Sequence, residues 1–440
     1  MSWTYYPELL ATPVPRYTSY PTAAEFSDRI GACELEKALA EVETNQPISL
    51  YVHIPYCHEI CWYCGCNTGA ANKAHRLSSY LDTLHEEIGL VASRLGGRGR
   101  VQRIAFGGGS PNAISPGQFA ALVAKLRGAF GVENALLSIE LDPRSLNQPW
   151  YDVIAATGIG RASLGVQTLD PKVQRSIGRI QPESMIRSAV DELRGAGVRS
   201  LNFDLMYGLP RQGPAELEAT LEATVDMRPE RIALFGYAHV PHLIPRQRRI
   251  DEQSLPDAEL RFAQAELGHK FLTHAGYEPV GFDHYARSHD PLALAARQGR
   301  LRRNFQGFTD DNSEVVIGLG ASAISQFPGL IVQNEKNAGR YKIRVSSGLL
   351  PATLGIVRGL DDQRRGRAIA QLLCDGEVEI RDFFSLDLLD ILQPFLDRGL
   401  ATIECGRLRL PDYGRPYARV IASMFDLYRR PEARRFSNAI

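Results

Sequence analysis

The stretch that decides the fold is LYVHIPYCHEICWYCGCN, residues 50–67. It opens within SLYVHIP (49–55), a short apolar run rich in strand-forming residues, which predicts a buried strand. Three cysteines follow in the pattern Cys57-x3-Cys61-x2-Cys64, so their thiols lie on one loop directly after that strand. Barrel folds place their functional groups on such loops, at the C-terminal ends of the strands.

Five more strands of this kind follow, separated by amphipathic segments with helical periodicity. This alternation is typical of βα units on a parallel sheet. We therefore predict an α/β fold, a partial (β/α)6 barrel with an N-terminal arm and a mostly helical, winged-helix-like C-terminal domain. The predicted strands are 49–55, 103–109, 136–143, 161–167, 200–208 and 231–240.

Three segments are predicted along the chain. Residues 1–48 are rich in proline and tyrosine and are expected to form an arm over the barrel mouth. Residues 49–355 are expected to hold the barrel and a C-terminal extension. Residues 356–440 are expected to form the winged-helix-like domain, with a hairpin that turns at Cys405-Gly406.

The charge balance argues against a polyanionic partner. The 440 residues contain 50 Lys and Arg against 50 Asp and Glu, so no net charge favours binding to nucleic acid or to an anionic membrane. No apolar run approaches the roughly 18 residues that a membrane span needs. We expect a cytoplasmic monomer with no nucleic-acid partner and no membrane span.

Cysteine usage points to metal or redox chemistry. Four of the seven cysteines lie between positions 57 and 66, and such clustering in a reducing compartment favours metal binding over disulfides. The isolated Cys33, Cys374 and Cys405 are expected to be small buried hydrophobic residues.

The spacing of the triad favours an iron–sulfur cluster. Three thiolates on a four-iron cluster leave one iron open, and that iron can bind the amino and carboxylate groups of S-adenosylmethionine (SAM). An electron from the cluster can then cleave the sulfonium and release a 5'-deoxyadenosyl radical. A zinc site would usually need a second close pair of ligands, which the sequence does not offer. Buried structural thiols are the remaining alternative.

Further motifs carry a family resemblance. PRYTSYPT (15–22), AFGGGSPN (105–112), VQT, DLMYGLP, YAHVP, NFQGFT and GASAIS, together with the cysteine stretch, resemble the oxygen-independent coproporphyrinogen III dehydrogenases (oxidases) of the radical SAM superfamily. The resemblance implies oxidative decarboxylation of two propionates of coproporphyrinogen III to vinyl groups, giving protoporphyrinogen IX in anaerobic haem biosynthesis. It also implies a 4Fe-4S cluster, two SAM molecules, and an electron donor and an electron acceptor as partners.

The resemblance assigns residues to roles one by one. Cys57, Cys61 and Cys64 would hold the cluster, and Cys66 is a further cysteine of the family counted with the catalytic residues. Glycines after the second strand let backbone groups approach a ligand, and carboxylates at strand ends can accept bonds from SAM. The cofactor-binding positions are Tyr51, Tyr63, Gly107, Gly108, Gly109, Glu140, Gln167, Arg179, Asp204, Ala238, Phe305, Gln306 and Ile324. The substrate candidates are Arg16, Tyr17 and Tyr20, as a clamp on propionates.

Several alternatives stay open from the sequence. Asn112 and Gly236 replace the threonine and asparagine of the family's GGGTPT and FNYAH motifs, which leaves room for an enzyme acting on another porphyrin. A haem chaperone or haem-binding protein would share the cysteine triad. A nicotinamide enzyme would use the glycine motif at 318–323, but no βαβ unit follows that motif.

Overall fold

The six predicted strands form the centre of one large sheet in the computed structural model, which describes residues 2–71, 74–132, 134–383 and 385–429. They pair side by side in parallel, as predicted, because each strand is followed by a crossover that returns the chain to the start of the next. The strands are β1 (Pro47–Ile54), β2 (Arg100–Gly108), β3 (Leu136–Leu141), β4 (Ile159–Gln167), β5 (Ser200–Tyr207) and β6 (Arg231–Gly236).

The extension after the sixth strand adds strands at both edges of this sheet. They are β7 (Tyr277–Val280), β8 (His284–Arg287), β11 (Val315–Leu319), β12 (Ile324–Phe327), β13 (Leu330–Asn334) and β14 (Ala352–Val357), with β9 (Arg302–Asn304) and β10 (Gly307–Thr309) as a separate hairpin. The order is β14-β13-β12-β11-β1-β2-β3-β4-β5-β6-β8-β7, and β11 is a seventh parallel strand that the sequence analysis missed. The described edges do not pair with each other, so the barrel is partial, as predicted.

The helices between the parallel strands cover the outer face of the sheet, and many helices begin and end at clear local signals. Before α4, the Ser115 hydroxyl accepts from the Gln118 N–H, and after α4 the chain turns at Gly131 with a φ of 61°. The helices are α1 (Pro7–Leu10), α2 (Ala32–Ala40), α3 (Ala74–Leu95), α4 (Pro116–Phe130), α5 (Gln148–Thr157), α6 (Pro171–Ser176), α7 (Glu183–Gly195), α8 (Pro214–Met227), α9 (Ala258–His274), α10 (Pro291–Arg297), α11 (Ala338–Ser346), α12 (Leu360–Asp375), α13 (Leu386–Asp397) and α14 (Ala418–Ala422).

An ion-pair cluster closes the N-terminal end of the barrel. Asp310 accepts paired hydrogen bonds from Arg103 on β2 and Arg161 on β4, at 2.8 to 3.1 Å. These guanidinium groups hold the pKa of Asp310 well below its usual range, against the effect of burial. The loop before β11 is thereby fixed at the bottom of the barrel, away from the cysteines at the top.

The first 48 residues pack in two places rather than as one arm. Leu10, Val14, Tyr17 and Tyr20 lie in the hydrophobic core of the C-terminal domain. By contrast, α2 packs into the core of the barrel. Residues up to about 20 therefore join the C-terminal domain to the barrel, an arrangement that depends on contacts hundreds of residues apart in sequence.

The C-terminal domain combines α12 and α13 with a three-stranded sheet of β15 (Glu377–Glu379), β16 (Thr402–Glu404) and β17 (Arg407–Arg409). The hairpin turns at Cys405 and Gly406, whose φ values are 52° and 82°. Cys374 is buried as expected. The expectation is wrong for Cys33 and Cys405, which are exposed because one lies in the first turn of α2 and the other at the hairpin tip.

Candidate active site

The cysteine loop is fixed by backbone hydrogen bonds on several sides. The N–H groups of Gly109 and Ser110, after β2, donate to the carbonyls of Ile54 and Tyr56 at 2.9 and 2.8 Å. On the opposite side, the Trp62 N–H donates to the carbonyl of Ile177, the residue after α6, at 3.1 Å. The loop is therefore held at the C-terminal rim of the barrel, the position that the sequence predicts for it.

Two arginine side chains contact the sulfur of Cys61, the buried cysteine of the triad. Arg144 Nη2 and Arg179 Nη1 each lie 3.3 Å from Sγ of Cys61, and both side chains also pair with Asp142. Hydrogen bonds from guanidinium groups favour an anionic sulfur.

The other two thiols of the triad differ in their surroundings. The hydrogen bond with the Cys66 side chain, helped by its backbone N–H, lowers the pKa of Cys64 to about 6 against the effect of burial. Burial raises the pKa of Cys57 to about 12, so its thiol ionises only when a metal replaces the proton.

The three thiols fit a cluster better than a single ion. Within the described part of the chain, no three His, Cys, Asp or Glu side chains converge as ligands of one metal ion. A mononuclear zinc site needs such convergence, whereas a four-iron cluster binds each thiolate at a separate corner. Thiols on a loop held by backbone hydrogen bonds, with two guanidinium groups beside one sulfur, suit the second arrangement.

The glycine turn after β2 exists because its neighbours leave no room for side chains. A Cβ on Gly107 would lie 2.7 Å from the Glu140 carboxylate, and one on Gly109 would lie 2.5 Å from the Tyr56 carbonyl oxygen. Gly108 has a φ of 117° and donates its N–H to Glu140 at 3.2 Å. The turn therefore packs β2, the cysteine loop and a carboxylate of β3 against one another.

Two predicted carboxylates face the same concave interior. Asp204 on β5 accepts hydrogen bonds from Ser163 and Asn202, both at 2.8 Å. Loss of water around the carboxylate in this concave interior raises the pKa of Glu140 on β3 to about 7, and the nearby charge of Asp204 adds to this rise. Burial also raises the pKa of Asp204. The Glu140 carboxyl can therefore act as a hydrogen-bond acceptor or donor near neutral pH.

Gln167 and Arg179 lie where β4 meets the cysteine loop. Gln167 ends the strand with a φ of 65°, an unfavourable conformation for a side chain with a Cβ and one that concentrates at functional sites. Arg179 is buried and donates to the Gly165 carbonyl at 2.6 Å as well as to the loop. Its position beside Cys61 makes it a neighbour of the cluster as well as of the predicted SAM site.

The remaining predicted cofactor positions fall into two groups. Phe305, in the β9–β10 turn, contacts Tyr51 of β1 edge to face with ring centroids 4.9 Å apart. The carbonyls of Tyr63 and Ala238 both accept from Gln247 Nε2, at 2.9 and 3.1 Å, so these two lie together. Ile324 begins β12 and is half-buried, and Gln306 is exposed next to Phe305.

Sequence reasoning missed Arg144, Asp142 and Gln247. The first two stand in DPR directly after β3, so the rule that selected strand-end residues applies to them equally. Gln247 follows no such rule, because it reaches the site from a 3-10 helix after β6.

The predicted propionate clamp is corrected for two of its three residues. The Tyr17 hydroxyl donates to Asp426 at 3.0 Å, and the Tyr20 hydroxyl accepts the Leu427 N–H at 3.1 Å. Both tyrosines are buried and serve the contact with the C-terminal domain. Arg16 instead reaches the barrel rim, where its Nη2 lies 2.8 Å from the carbonyl oxygen of Gly236.

Comparison with known proteins agrees with this geometry. Residues 51–224 match the model of the radical SAM superfamily. The oxygen-independent coproporphyrinogen III oxidase of Bradyrhizobium diazoefficiens is 39% identical, with 97% of each chain covered. That of Escherichia coli is 37% identical, with 97% of this chain and 96% of the relative covered. The solved structure of the Escherichia coli coproporphyrinogen III oxidase, titled a radical SAM enzyme, superimposes with a TM-score of 0.90 at 35% identity, covering 98% of this chain and 100% of the other.

The chain belongs to the oxygen-independent coproporphyrinogen III oxidase family of the radical SAM superfamily. Membership in this family confirms the predicted fold, the 4Fe-4S cluster and SAM as cofactors. No helix in the ranges that the structure describes has the length and apolar character to cross a membrane.

The structure shows the roles of two motifs that pointed to alternative functions, Asn112 and the glycine motif at 318–323. Asn112 is buried. Its side-chain nitrogen donates to the Asp142 carbonyl and its side-chain oxygen accepts the Asp142 N–H, so it holds the turn after β3 rather than facing a ligand. Gly318 and Gly320 lead into β12 as an antiparallel neighbour of β11, which is not the strand-to-helix turn that a dinucleotide needs. The nicotinamide alternative is therefore wrong.

Proposed function

We propose that this chain oxidatively decarboxylates two propionates of coproporphyrinogen III to vinyl groups, giving protoporphyrinogen IX. The observation that carries this proposal is the cysteine loop, whose Cys61 sulfur lies beside two guanidinium groups in a chain matching the named oxidases over almost its whole length. When bound, the cluster and SAM supply the adenosyl radical that removes one hydrogen atom from the propionate carbon β to the carboxylate. The substrate then loses carbon dioxide and one electron, which an electron acceptor takes up.

The protein's own residues have binding and positioning roles in this scheme. Arg144 and Arg179 contact the Cys61 sulfur and position it for the cluster, and the glycine turn offers backbone groups without side chains at the rim. Glu140 and Asp204 are acceptors for the hydroxyl or ammonium groups of a nucleoside and an amino acid. No general base is required for hydrogen-atom abstraction, which agrees with the lack of a nucleophile–base pair among the predicted site residues.

We further propose that two SAM molecules bind along this wall. Glu140, Asp204 and the glycine turn lie on this wall, and Tyr51 with Phe305 lies beside them. The resemblance of the NFQGFT motif, which carries Phe305 and Gln306, to the family supports a second site here.

The electron donor is proposed to be a small acidic redox protein. Several basic side chains lie on the exposed surface around the cysteine loop, and Arg249 lies over the Trp62 ring at 6.0 Å. Ile60 and Ile180 add exposed apolar contacts, at 36% and 63% exposure. The exposed basic residues are Lys172, Arg175, Arg211, Arg248 and Arg249. Such a surface attracts an acidic partner to the cluster.

A cytoplasmic location is part of this proposal, supported by seven cysteines without a disulfide, several of them exposed. A monomeric state stays a prediction, and the absence of a nucleic-acid partner stays a prediction from the charge balance.

The decisive experiment uses the full chain, purified and reconstituted without oxygen. It is incubated with coproporphyrinogen III, SAM, dithionite and an electron acceptor, and the products are followed by mass. Loss of two carbon dioxide units, with one 5'-deoxyadenosine for each, is expected, and the variant Cys61→Ala should lose both. SAM cleavage with an unchanged porphyrinogen would overturn the substrate assignment and favour another porphyrin or a haem-binding role.

A further inference from the structure

A pocket rich in arginine lies where the N-terminal segment, the barrel rim and the C-terminal domain meet. Arg16 comes from the N-terminal segment, Arg261 from α9, and Arg415 and Arg419 from the C-terminal domain. Asp283 is the one acidic side chain among the pocket's described lining residues. Four guanidinium groups therefore face one carboxylate in a partly enclosed space.

The internal contacts of Arg16 and Arg261 satisfy hydrogen bonds without neutralising the charge of either side chain. Arg16 donates to the Gly236 carbonyl at 2.8 Å, and Arg261 to the Tyr237 carbonyl at 2.6 Å. In the described chain, neither has a carboxylate partner within ion-pair distance, and the buried Nε of Arg261 has no acceptor. Arg415 does have such a partner, the Asp412 carboxylate at 3.3 Å.

The lone carboxylate of the pocket is already engaged. Asp283 lies 2.6 Å from the His284 ring nitrogen, and the charges of His284, Arg303 and Arg16 hold the pKa of its carboxyl below the usual range despite burial. Burial and the positive charge of Arg16 lower the pKa of Arg419 to about 9, so these surroundings favour the charge of Asp283 and disfavour the charge of Arg419. Positive charge is thus in excess at this point, and an anionic ligand would relieve it.

The pocket opens at the same rim as the cysteine loop. Its wall includes Tyr207 and Gly236, the last residues of β5 and β6. It also includes Ala238. Gln247 Nε2 donates hydrogen bonds both to the Ala238 carbonyl and to the carbonyl of Tyr63 in the cysteine loop. A ligand held in the pocket is therefore next to the predicted SAM site.

We propose that Arg16, Arg261 and Arg419 form a carboxylate-binding site for the propionates that are not reacting, so that the reacting propionate is presented to the radical. This inference rests on the proposed function and names the contacts that position its substrate. A guanidinium group can bind a carboxylate through two parallel hydrogen bonds, which fixes orientation as well as charge. Three of them on three segments can hold a flexible tetracarboxylate at more than one point.

The test compares Arg16→Gln and Arg261→Gln with Arg287→Gln in the reconstituted full-length enzyme. Arg287 is a matched control because, like Arg16, it is half-buried, stacks on an aromatic ring, at 5.0 Å, and donates to a backbone carbonyl, at 3.3 Å, but lies away from the pocket. Binding of coproporphyrin III, the stable oxidised tetracarboxylate, is measured by fluorescence titration, and thermal unfolding checks that each variant folds.

Each pocket variant should raise the Kd for coproporphyrin III and the KM for coproporphyrinogen III about 10- to 100-fold, with a much smaller change in kcat. Arg261→Lys should recover part of the affinity because it keeps the charge. The tetramethyl ester of coproporphyrin should bind wild type and variants equally. Arg287→Gln should bind like wild type.

The outcomes separate this inference from the proposed reaction. Suppose that the wild-type enzyme decarboxylates its substrate but the Kd and KM of the pocket variants change less than about twofold. That result would refute the proposed carboxylate-binding role of the pocket. A wild-type protein that binds coproporphyrin through these arginines but does not decarboxylate coproporphyrinogen would leave the pocket standing and overturn the reaction.

Discussion

Replacing Glu87 by glutamine should change how the stability of the protein depends on pH. Glu87 on α3 is buried and accepts hydrogen bonds from the Gly320 N–H, the Tyr341 hydroxyl and the Asn334 amide at 2.6 to 2.8 Å. No cation pairs with it among the described residues. Burial therefore dominates and raises the pKa of this carboxyl from 4.5 to about 7.

The sign and size of the effect follow from linkage. The folded state holds the Glu87 proton more tightly than the unfolded chain, so this group stabilises the fold fully below pH 4.5 and loses that contribution as pH rises through 7. The pKa of Glu87 differs by about 2.5 units between the unfolded and folded states. At 1.36 kcal/mol per pKa unit, this difference corresponds to about 3 kcal/mol of folding free energy. Glu87→Gln carries no such proton, so its free energy of unfolding should lack this decline.

Urea unfolding of both proteins, followed by tryptophan fluorescence in reducing buffer at pH 5, 6, 7 and 8, measures the effect. At pH 5 the variant should be no more stable than wild type, because glutamine leaves one donor of the carboxylate site without its acceptor. Between pH 5 and pH 8, the free energy of unfolding of the variant should rise by about 2 to 3 kcal/mol relative to that of wild type. A constant difference across this range would refute the reasoning and show that the hydrogen bonds keep Glu87 ionised.

Three further changes test the frame and the cysteine loop. Asp310→Ala should cost about 3 to 5 kcal/mol in urea unfolding, because it removes the carboxylate shared by Arg103 and Arg161 and leaves Arg103 only the weaker pair with Asp311. Gly109→Ala should abolish iron retention, since its Cβ would lie 2.5 Å from the Tyr56 carbonyl, whereas Gly128→Ala in α4, with open space, should keep iron and stabilise by about 0.5 to 1 kcal/mol. Arg144→Gln should lower the iron content after reconstitution, measured per chain, because it removes a cation beside the loop thiolate; unchanged iron would contradict this.

Local signals were enough to predict the frame of the site. The apolar runs of β1 to β6 and the cysteine spacing depend on neighbours in sequence, and the structure has these strands within a few residues of the predicted bounds. The seventh parallel strand, β11, was missed because it pairs with β1, more than 250 residues earlier, and no crossover pattern precedes it. Periodicity reports the type of a strand but not its partner.

The arginine pocket and the two tyrosines show a second limit. Tyr17 and Tyr20 stand beside Arg16 in one motif, yet they pack into the C-terminal core while Arg16 reaches the barrel rim. A motif records that residues belong together in sequence, not that they face the same way. The arginines of the pocket come from positions 16, 261, 415 and 419, so only the tertiary fold brings them together.

Arginine recurs at the active end of this barrel in two different roles. Arg144 and Arg179 share Asp142 as a partner and Arg144 also pairs with Glu59, so their charge is largely balanced and is directed at one sulfur. Arg16 and Arg261 are satisfied by neutral carbonyls and keep their full charge for a ligand. The balanced pair can hold a thiolate whether or not substrate is present, whereas the unbalanced pair gains most when an anion arrives. The cluster site is therefore preorganised by the protein alone, and the pocket beside it is completed by the carboxylates of the substrate.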